Sequence, residues 1–239
     1  MLELYVTETE RNTGKIVFSA GLAGTMQALG YYTSLYKPVQ TGAVKQKNGI
    51  LKSTDLDFVK LIDDYMETYS TYIFEKDGIP ALSAKSAGVE IDTDLIKQDY
   101  LNFFRNYECV ITDGTNGLST PLSKKIIEAD LIKELKLPFV LVAPVEENSI
   151  NNTIMAINQA QELNSDFRGV ILSTSTGLTT EESATIRLVK EYSGVSILGI
   201  FNKLTEETEI NPNDVIANIV TDVNIEDLFN IKIAKLHNN

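Results

Sequence analysis

The chain has one cysteine, one histidine and six prolines in 239 residues, and it has fewer cations than anions. Each shortage removes a class of protein. A lone Cys109 can form neither a disulfide within the chain nor a multi-cysteine metal site. It lies mid-strand and reads as a small core residue rather than a nucleophile. A lone His237, near the carboxyl end where chains fray, leaves no set of residues for a Ser-His-acid or Cys-His relay. With 21 Lys plus Arg against 33 Asp plus Glu, the net charge is −12. Nucleic acid is a poor partner for such a surface, because phosphate neutralisation by Lys and Arg supplies most of that affinity. A small anion can still bind where a few cations converge. No run approaches the ~18 consecutive apolar residues of a membrane span, so no membrane partner is expected. Residues 1–30 show no basic start followed by an apolar run and a small-residue cleavage site, so a cytoplasmic protein is expected.

What is present is a globular composition. Hydrophobic residues make up 43% of the chain, enough to offset the entropy of ordering it. Short apolar runs alternate with longer stretches of helical period. Strands are expected at Leu2–Thr7, Thr33–Tyr36, Cys109–Thr112, Phe139–Ala143, Gly169–Ser173 and Ser196–Phe201. Helices are expected at Gly14–Leu29 (closed by Gly30), Thr54–Tyr65, Asp92–Phe104, Lys124–Leu135, Ser149–Leu163 and Glu181–Tyr192, with part of Asp214–Phe229 helical. This alternation implies an α/β fold: a mostly parallel sheet with helices on both faces, in a single domain over residues 1–239. The Glu206-Glu207-Thr208-Glu209 run reads as a solvated face. In such sheets ligands bind at the carboxyl ends of the strands, so function is sought in the segments that follow each strand.

Three of those segments carry chemistry. Between the first strand and first helix, Gly14-Lys15 is half of a phosphate-binding loop, with exposed N–H groups and a lysine converging on an anion. The full pattern G-x-x-x-x-G-K-S/T would place Gly at position 9 and a hydroxyl at 16, where this chain has Thr9 and Ile16. A second segment, Tyr36-Lys37-Pro38-Val39-Gln40-Thr41-Gly42, reads as a loop that aims an ammonium at the mouth of the sheet. The third is Asp113-Gly114-Thr115-Asn116-Gly117: an acid closing an apolar strand is the arrangement that holds Mg²⁺ near a nucleotide in phosphate-loop enzymes. Asp55, in Ser53-Thr54-Asp55, is either a second such acid or a helix cap. Each segment alone has an ordinary reading as a turn or solvated loop. Together they place two lysines and two carboxylates on one rim, which suits a magnesium nucleotide.

In that order and spacing the segments resemble the dethiobiotin synthetase family. Val6-Thr7-Glu8-Thr9-Glu10-Arg11-Asn12-Thr13-Gly14-Lys15-Ile16 is similar to its V-T-G-T-D-T-x-V-G-K-T loop. The Lys37 segment looks like its K-P-V-x-S/T-G, and Ser53-Thr54-Asp55 like its N/S-S-D. The stretch from Asp113 to Leu122 is similar to E-G-A-G-G-x-x-x-P-L, and Asn148–Asn152 resembles G-x-I-N-H. The resemblance covers residues 1–175 and implies a P-loop-like fold, a homodimer, ATP and Mg²⁺. It further implies 7,8-diaminopelargonate and CO₂ as substrates of a carboxylation and ring closure. By the same resemblance Lys15 grips phosphates, Lys37 the carbamate and γ-phosphate, and Thr41 bonds near the carbamate. Thr9, Asn12, Thr13, Gly14 and Ser173 would contact the nucleotide. Asp55 and Asp113 would hold Mg²⁺, and Gly114, Ser149, Ile150, Asn151 and Asn152 the second substrate.

Four positions depart from the family pattern. Glu8 replaces a loop glycine, Ile16 a metal-binding threonine, Asp113 a glutamate, and Ser173-Thr174 an adenine-reading N-D pair. Glu8 and Ile16 motivate an alternative: a non-catalytic or altered relative that keeps the scaffold for ligand or partner binding. A partitioning-type ATPase of the same broad fold is a weaker alternative, since the −12 charge and the lack of a basic stripe argue against a DNA or surface binder.

Overall fold

The computed structural model describes residues 1–175, 177–204, 210–233 and 236, so His237 and the Glu206–Glu209 run lie outside the described residues. In chain order the strands are β1 (Leu2–Glu8), β2 (Thr33–Gln40), β3 (Val44–Lys45), β4 (Leu51–Lys52), β5 (Glu67–Ile73), β6 (Cys109–Asp113), β7 (Pro121–Ser123), β8 (Ile126–Ile127), β9 (Phe139–Pro144), β10 (Phe167–Thr174) and β11 (Ile197–Asn202). Seven of them form one sheet in the order β11-β10-β9-β1-β6-β2-β5, parallel throughout. The pairs β3/β4 and β7/β8 are small antiparallel ladders outside it. The helices are α1 (Lys15–Ala28), α2 (Thr54–Ile62), α3 (Pro80–Ser86), α4 (Thr93–Phe103), α5 (Glu128–Leu135), α6 (Ile150–Glu162), α7 (Thr180–Ser193), α8 (Pro212–Asp222) and α9 (Ile225–Phe229). Among the described residues no helix is long and apolar enough to cross a membrane.

Alternation along the strands divides the core. Leu4, Val6, Cys109, Ile111, Val140, Val142 and Ile171 pack with α1, α2, α8 and α9 on one face. Tyr5, Val110, Leu141, Val170 and Leu172 pack with α4, α5, α6 and α7 on the other. Successive side chains of a strand point to opposite faces, so only a strand covered on both sides uses apolar residues at every position. Cys109 is buried in the first of these cores, and burial pushes its thiol up to about 12, as an inert core residue requires.

The chain departs from the expected elements in four places. Lys37 through Gln40 lie inside β2, not in a loop after it, and all eight residues of that strand are buried. Strand β5 and helix α3 carry no clear period: β5 is an edge strand, half-buried along nearly its whole length, and it mixes Tyr with Ser and Thr. Residues 124–127 form a turn and strand β8, so the helix expected from Lys124 starts at Glu128. The tail breaks at Val223–Asn224, where Asn224 caps α9 through the amide of Asp227. Strand β1 sits between β6 and β9, and the chain moves to opposite sides of it in its two halves. That reversal opens a crevice at the carboxyl ends of β1 and its neighbours.

Candidate functional site

Helix α1 begins in that crevice. Its N-cap Gly14 has φ 83°, with no side-chain cap and no acid in the first turn. A Cβ there would come within 2.7 Å of the Lys203 Cβ, so both the backbone angle and the neighbour require glycine. The first turn of this 14-residue helix therefore turns uncapped N–H groups towards a cleft of about 630 Å³ lined by Gly14, Lys15, Ile16 and Val17. A phosphate suits that terminus, through its N–H groups and the positive end of the helix dipole.

Across the cleft the charged groups meet. Lys15 Nζ donates to both Asp113 oxygens at 2.8 Å and to the Gly114 carbonyl at 2.8 Å. Lys37 Nζ, reaching up from β2, bonds Asp113 Oδ2 at 2.5 Å and Asp55 Oδ2 at 2.7 Å. Ser19, one turn along α1 from Lys15, donates to Asp113 Oδ1 at 2.8 Å. Burial alone would raise the Asp113 carboxyl, but the two ammonium groups outweigh it and hold it at about 2. Burial would likewise lower Lys37, and the charges of Asp113 and Asp55 lift it above the ordinary lysine value. Asp55 is free to make this pair because Ser53 caps α2, accepting from the Leu56 amide at 3.1 Å.

A second buried acid shapes the loop after β6. Glu128, fully buried, accepts from the Thr115 amide and hydroxyl, from Tyr5 Oη at 3.1 Å and from the Gly117 amide at 3.3 Å. Burial raises its carboxyl despite the Thr115 bonds. A Cβ on Gly114 would strike Glu128 Oε1 and Tyr5, so the glycine lets the loop close over this carboxylate. Sequence reasoning did not single out Glu128 or Ser19. Ser19 is a polar residue among the buried apolar positions of α1, a signal that could have found it; Glu128, which opens α5, is explained only by its long-range partners.

The end of β1 and the loop after it hold two further carboxylates. Glu8, 5% exposed, accepts from the Thr13 hydroxyl at 2.6 Å. Burial pushes it up to about 6 against the pull of Lys15 and the Thr13 bond. Glu10 accepts from Ser149 Oγ at 2.7 Å and from Asn152 Nδ2 at 2.8 Å. The remaining cleft cations are paired as well: Arg11 with Asp77 at 2.9 Å and Lys203 with Glu146 at 2.9 Å.

Asn12, with φ 66°, and Thr41 line the cleft with Lys15, Lys37 and Asp55; Thr41 Oγ1 donates to the Gly78 carbonyl at 3.3 Å. Thr9 and Asn152 line an adjoining cavity. Thr13 is buried, with its hydroxyl given to Glu8. Ile150 packs against the second core, and the Asn151 amide meets Met155 on the surface of α6, 3.5 Å from its sulfur. Ser149, expected to meet substrate, instead holds Glu10. Ser173 is buried at the end of β10 with its hydroxyl unpartnered. For Mg²⁺ the donor set is thin. The two Asp113 oxygens are occupied by Lys15, Lys37 and Ser19, Ile16 offers no oxygen, and Asp55, which lines the cleft with Glu8 and Asp77, is itself paired with Lys37. No cluster of three or more His, Cys, Asp or Glu able to hold a metal occurs among the described residues. The arrangement does not fit a metal held by Asp113 and Asp55 together.

Residues 3–211 match the family model described as AAA domain. An ATP-dependent dethiobiotin synthetase BioD from Leptospira interrogans is 31% identical over 201 residues, covering 84% of this chain and 86% of that protein. The chain belongs to the dethiobiotin synthetase family. Members bearing the same name from Clostridium perfringens (27% identity, 89% of this chain, 95% of the relative) and Caldicellulosiruptor saccharolyticus (29%, 83% and 84%) agree. In fold, the chain superposes on a MinC:MinD cell division protein complex from Aquifex aeolicus with a TM-score of 0.57 at 11% identity, covering 100% and 96% of the two chains. That likeness is one of α/β architecture alone. Glu8 ends β1 and Ile16 lies in the first turn of α1, on either side of its uncapped start.

Proposed function

We propose that the whole chain, residues 1–239, works as an ATP-dependent dethiobiotin synthetase, carboxylating 7,8-diaminopelargonate and closing its ureido ring. In this reading one substrate amine takes up CO₂ as a carbamate, and a carbamate oxygen attacks the γ-phosphorus of ATP, expelling ADP and forming a carbamic–phosphoric mixed anhydride. The second amine then closes the ring and phosphate leaves. The observation that carries it is the convergence of Lys15 and Lys37 on one acid beside the open end of α1. Charge that builds on the transferring phosphoryl group needs preorganised cations, and these two are already held in place. Lys15 would cradle the phosphates, while Lys37, steadied by Asp55, would meet the carbamate and the γ-phosphate. Thr41 lies on the same cleft wall to bond the carbamate. Gly14, Thr9 and Asn12 would frame the nucleotide, with Ser173 near its base. Asn152 and its neighbours on α6 would meet the second substrate, across a homodimer and in the cytoplasm. Mg²⁺ enters this reading as part of the MgATP substrate.

Phosphate release from MgATP, measured with the diamine and bicarbonate present and then with each omitted, tests the proposal. Release only with the full set supports it; no release from well-folded protein rejects it. Glu8 and Ile16 favour a second reading, a relative that keeps the scaffold without turnover. Thermal melting with MgATP separates the two, since a ligand at 100 times its Kd stabilises by roughly 2.7 kcal/mol. No change in Tm supports the scaffold.

A further inference from the structure

Among the described residues Glu8 is the one acid of the site with a free oxygen facing the cleft from a buried position. It closes β1 and is 5% exposed, and its Oε2 accepts from Thr13. Among the described residues no protein donor reaches its Oε1. Its side chain lines two adjoining cavities. One contains Lys15, Lys37 and Asp55; the other, of about 580 Å³, is faced by Ile79, Leu118, Met155 and Ala156. A ligand whose hydrocarbon part fills the second cavity and whose reacting end enters the first must pass this carboxylate. An anion would be repelled there; a primary ammonium would be bound.

We propose that Glu8 receives the ammonium group of the substrate on its free oxygen and takes the proton that must leave before the nitrogen attacks CO₂. This rests on the reading above that an amine is the group carboxylated. The ammonium gives one proton to the carboxylate, and the freed lone pair forms the C–N bond. One π pair of CO₂ moves onto its oxygen, and the second N–H proton passes to solvent. Glu8 returns its proton to solvent before the next turnover. The groups facing Glu8 are Lys15 from α1, Thr13 from the loop, Asp113 from β6 and Glu128 from α5. Its carboxyl, raised to about 6, is ionised at neutral pH yet more basic than an exposed glutamate.

Calorimetric titration with 7,8-diaminopelargonate, on the unaltered chain, on Glu8→Gln and on Glu8→Asp, decides it. Glu8→Gln is expected to bind the diamine at least tenfold more weakly and, with MgATP and bicarbonate, to release phosphate on the order of 10²-fold more slowly. Glu8→Asp recovers part of both. The low-pH limb of the rate profile disappears in Glu8→Gln, while its MgATP-induced change in Tm is as large as in the unaltered chain or larger. Equal diamine affinity in cooperatively melting Glu8→Gln overturns the proposal, and so does faster phosphate release. Diamine binding that depends on Glu8 without any phosphate release supports the ammonium site and overturns the carboxylation reading.

Discussion

Two carboxylates at neighbouring strand ends, Asp113 on β6 and Glu8 on β1, are both nearly inaccessible, and their surroundings drive them in opposite directions. Asp113 sits between two ammonium groups and a hydroxyl and is held at about 2. Glu8 has one hydroxyl and a more distant lysine, and burial lifts it to about 6. The same burial penalises both charges; the number of cations in contact decides the sign. One half of the crevice is thus a neutralised centre that holds its lysines in place. The other half carries negative charge at the end of β1, beside the uncapped start of α1.

Breaking the first half has the largest expected effect. Asp113→Asn leaves two buried ammonium groups facing each other, and it should destabilise the fold by about 3–5 kcal/mol, read as a shift in urea midpoint at unchanged slope. The stabilisation from Asp113 is present above its unfolded pKa and is lost only as the pH falls towards about 2.

Glu8 gives the mirror-image result. Its folded carboxyl is raised, so its ionisation opposes folding: the penalty is absent below 4.5, grows between 4.5 and about 6, and is complete above that. Glu8→Gln should therefore be more stable than the unaltered chain by about 2 kcal/mol at pH 7.5, and the difference should vanish near pH 4. Equal stability at both pH values would mean that the glutamate is solvated. Combining Glu8→Gly with Ile16→Thr sharpens the comparison from the ligand side. It removes an anion and supplies a hydroxyl, and should tighten MgATP binding about tenfold, worth about 1.4 kcal/mol, by equilibrium titration.

Much of this was legible in advance because α/β sheets collect function at strand ends. Lys15 and Asp55 open helices and Asp113 closes a strand, so most of the rim could be assembled from their positions. What stayed hidden depends on contacts between residues far apart in the chain. Nothing near Glu128 in sequence announces its bonds to Thr115 and Tyr5. Nor does the first loop reveal that Glu10 would hold the Ser149 and Asn152 donors expected to meet substrate. Lys37 was expected in a loop because the strand was expected to end at Tyr36. Residues 37–40 nevertheless continue β2, which pairs with β5 from Ser34 to Gln40.

If the paired lysines and the open end of α1 form one centre for phosphoryl transfer to a carbamate, carbon from CO₂ must appear in the product as phosphate is released. The most direct test is to supply ¹³C-bicarbonate, MgATP and 7,8-diaminopelargonate to the unaltered protein and analyse the product by mass spectrometry. One labelled carbon in a cyclic urea is expected for each phosphate released, with both signals lost in Lys37→Met. Phosphate released without label in the product, or label incorporated equally well by Lys37→Met, would contradict it.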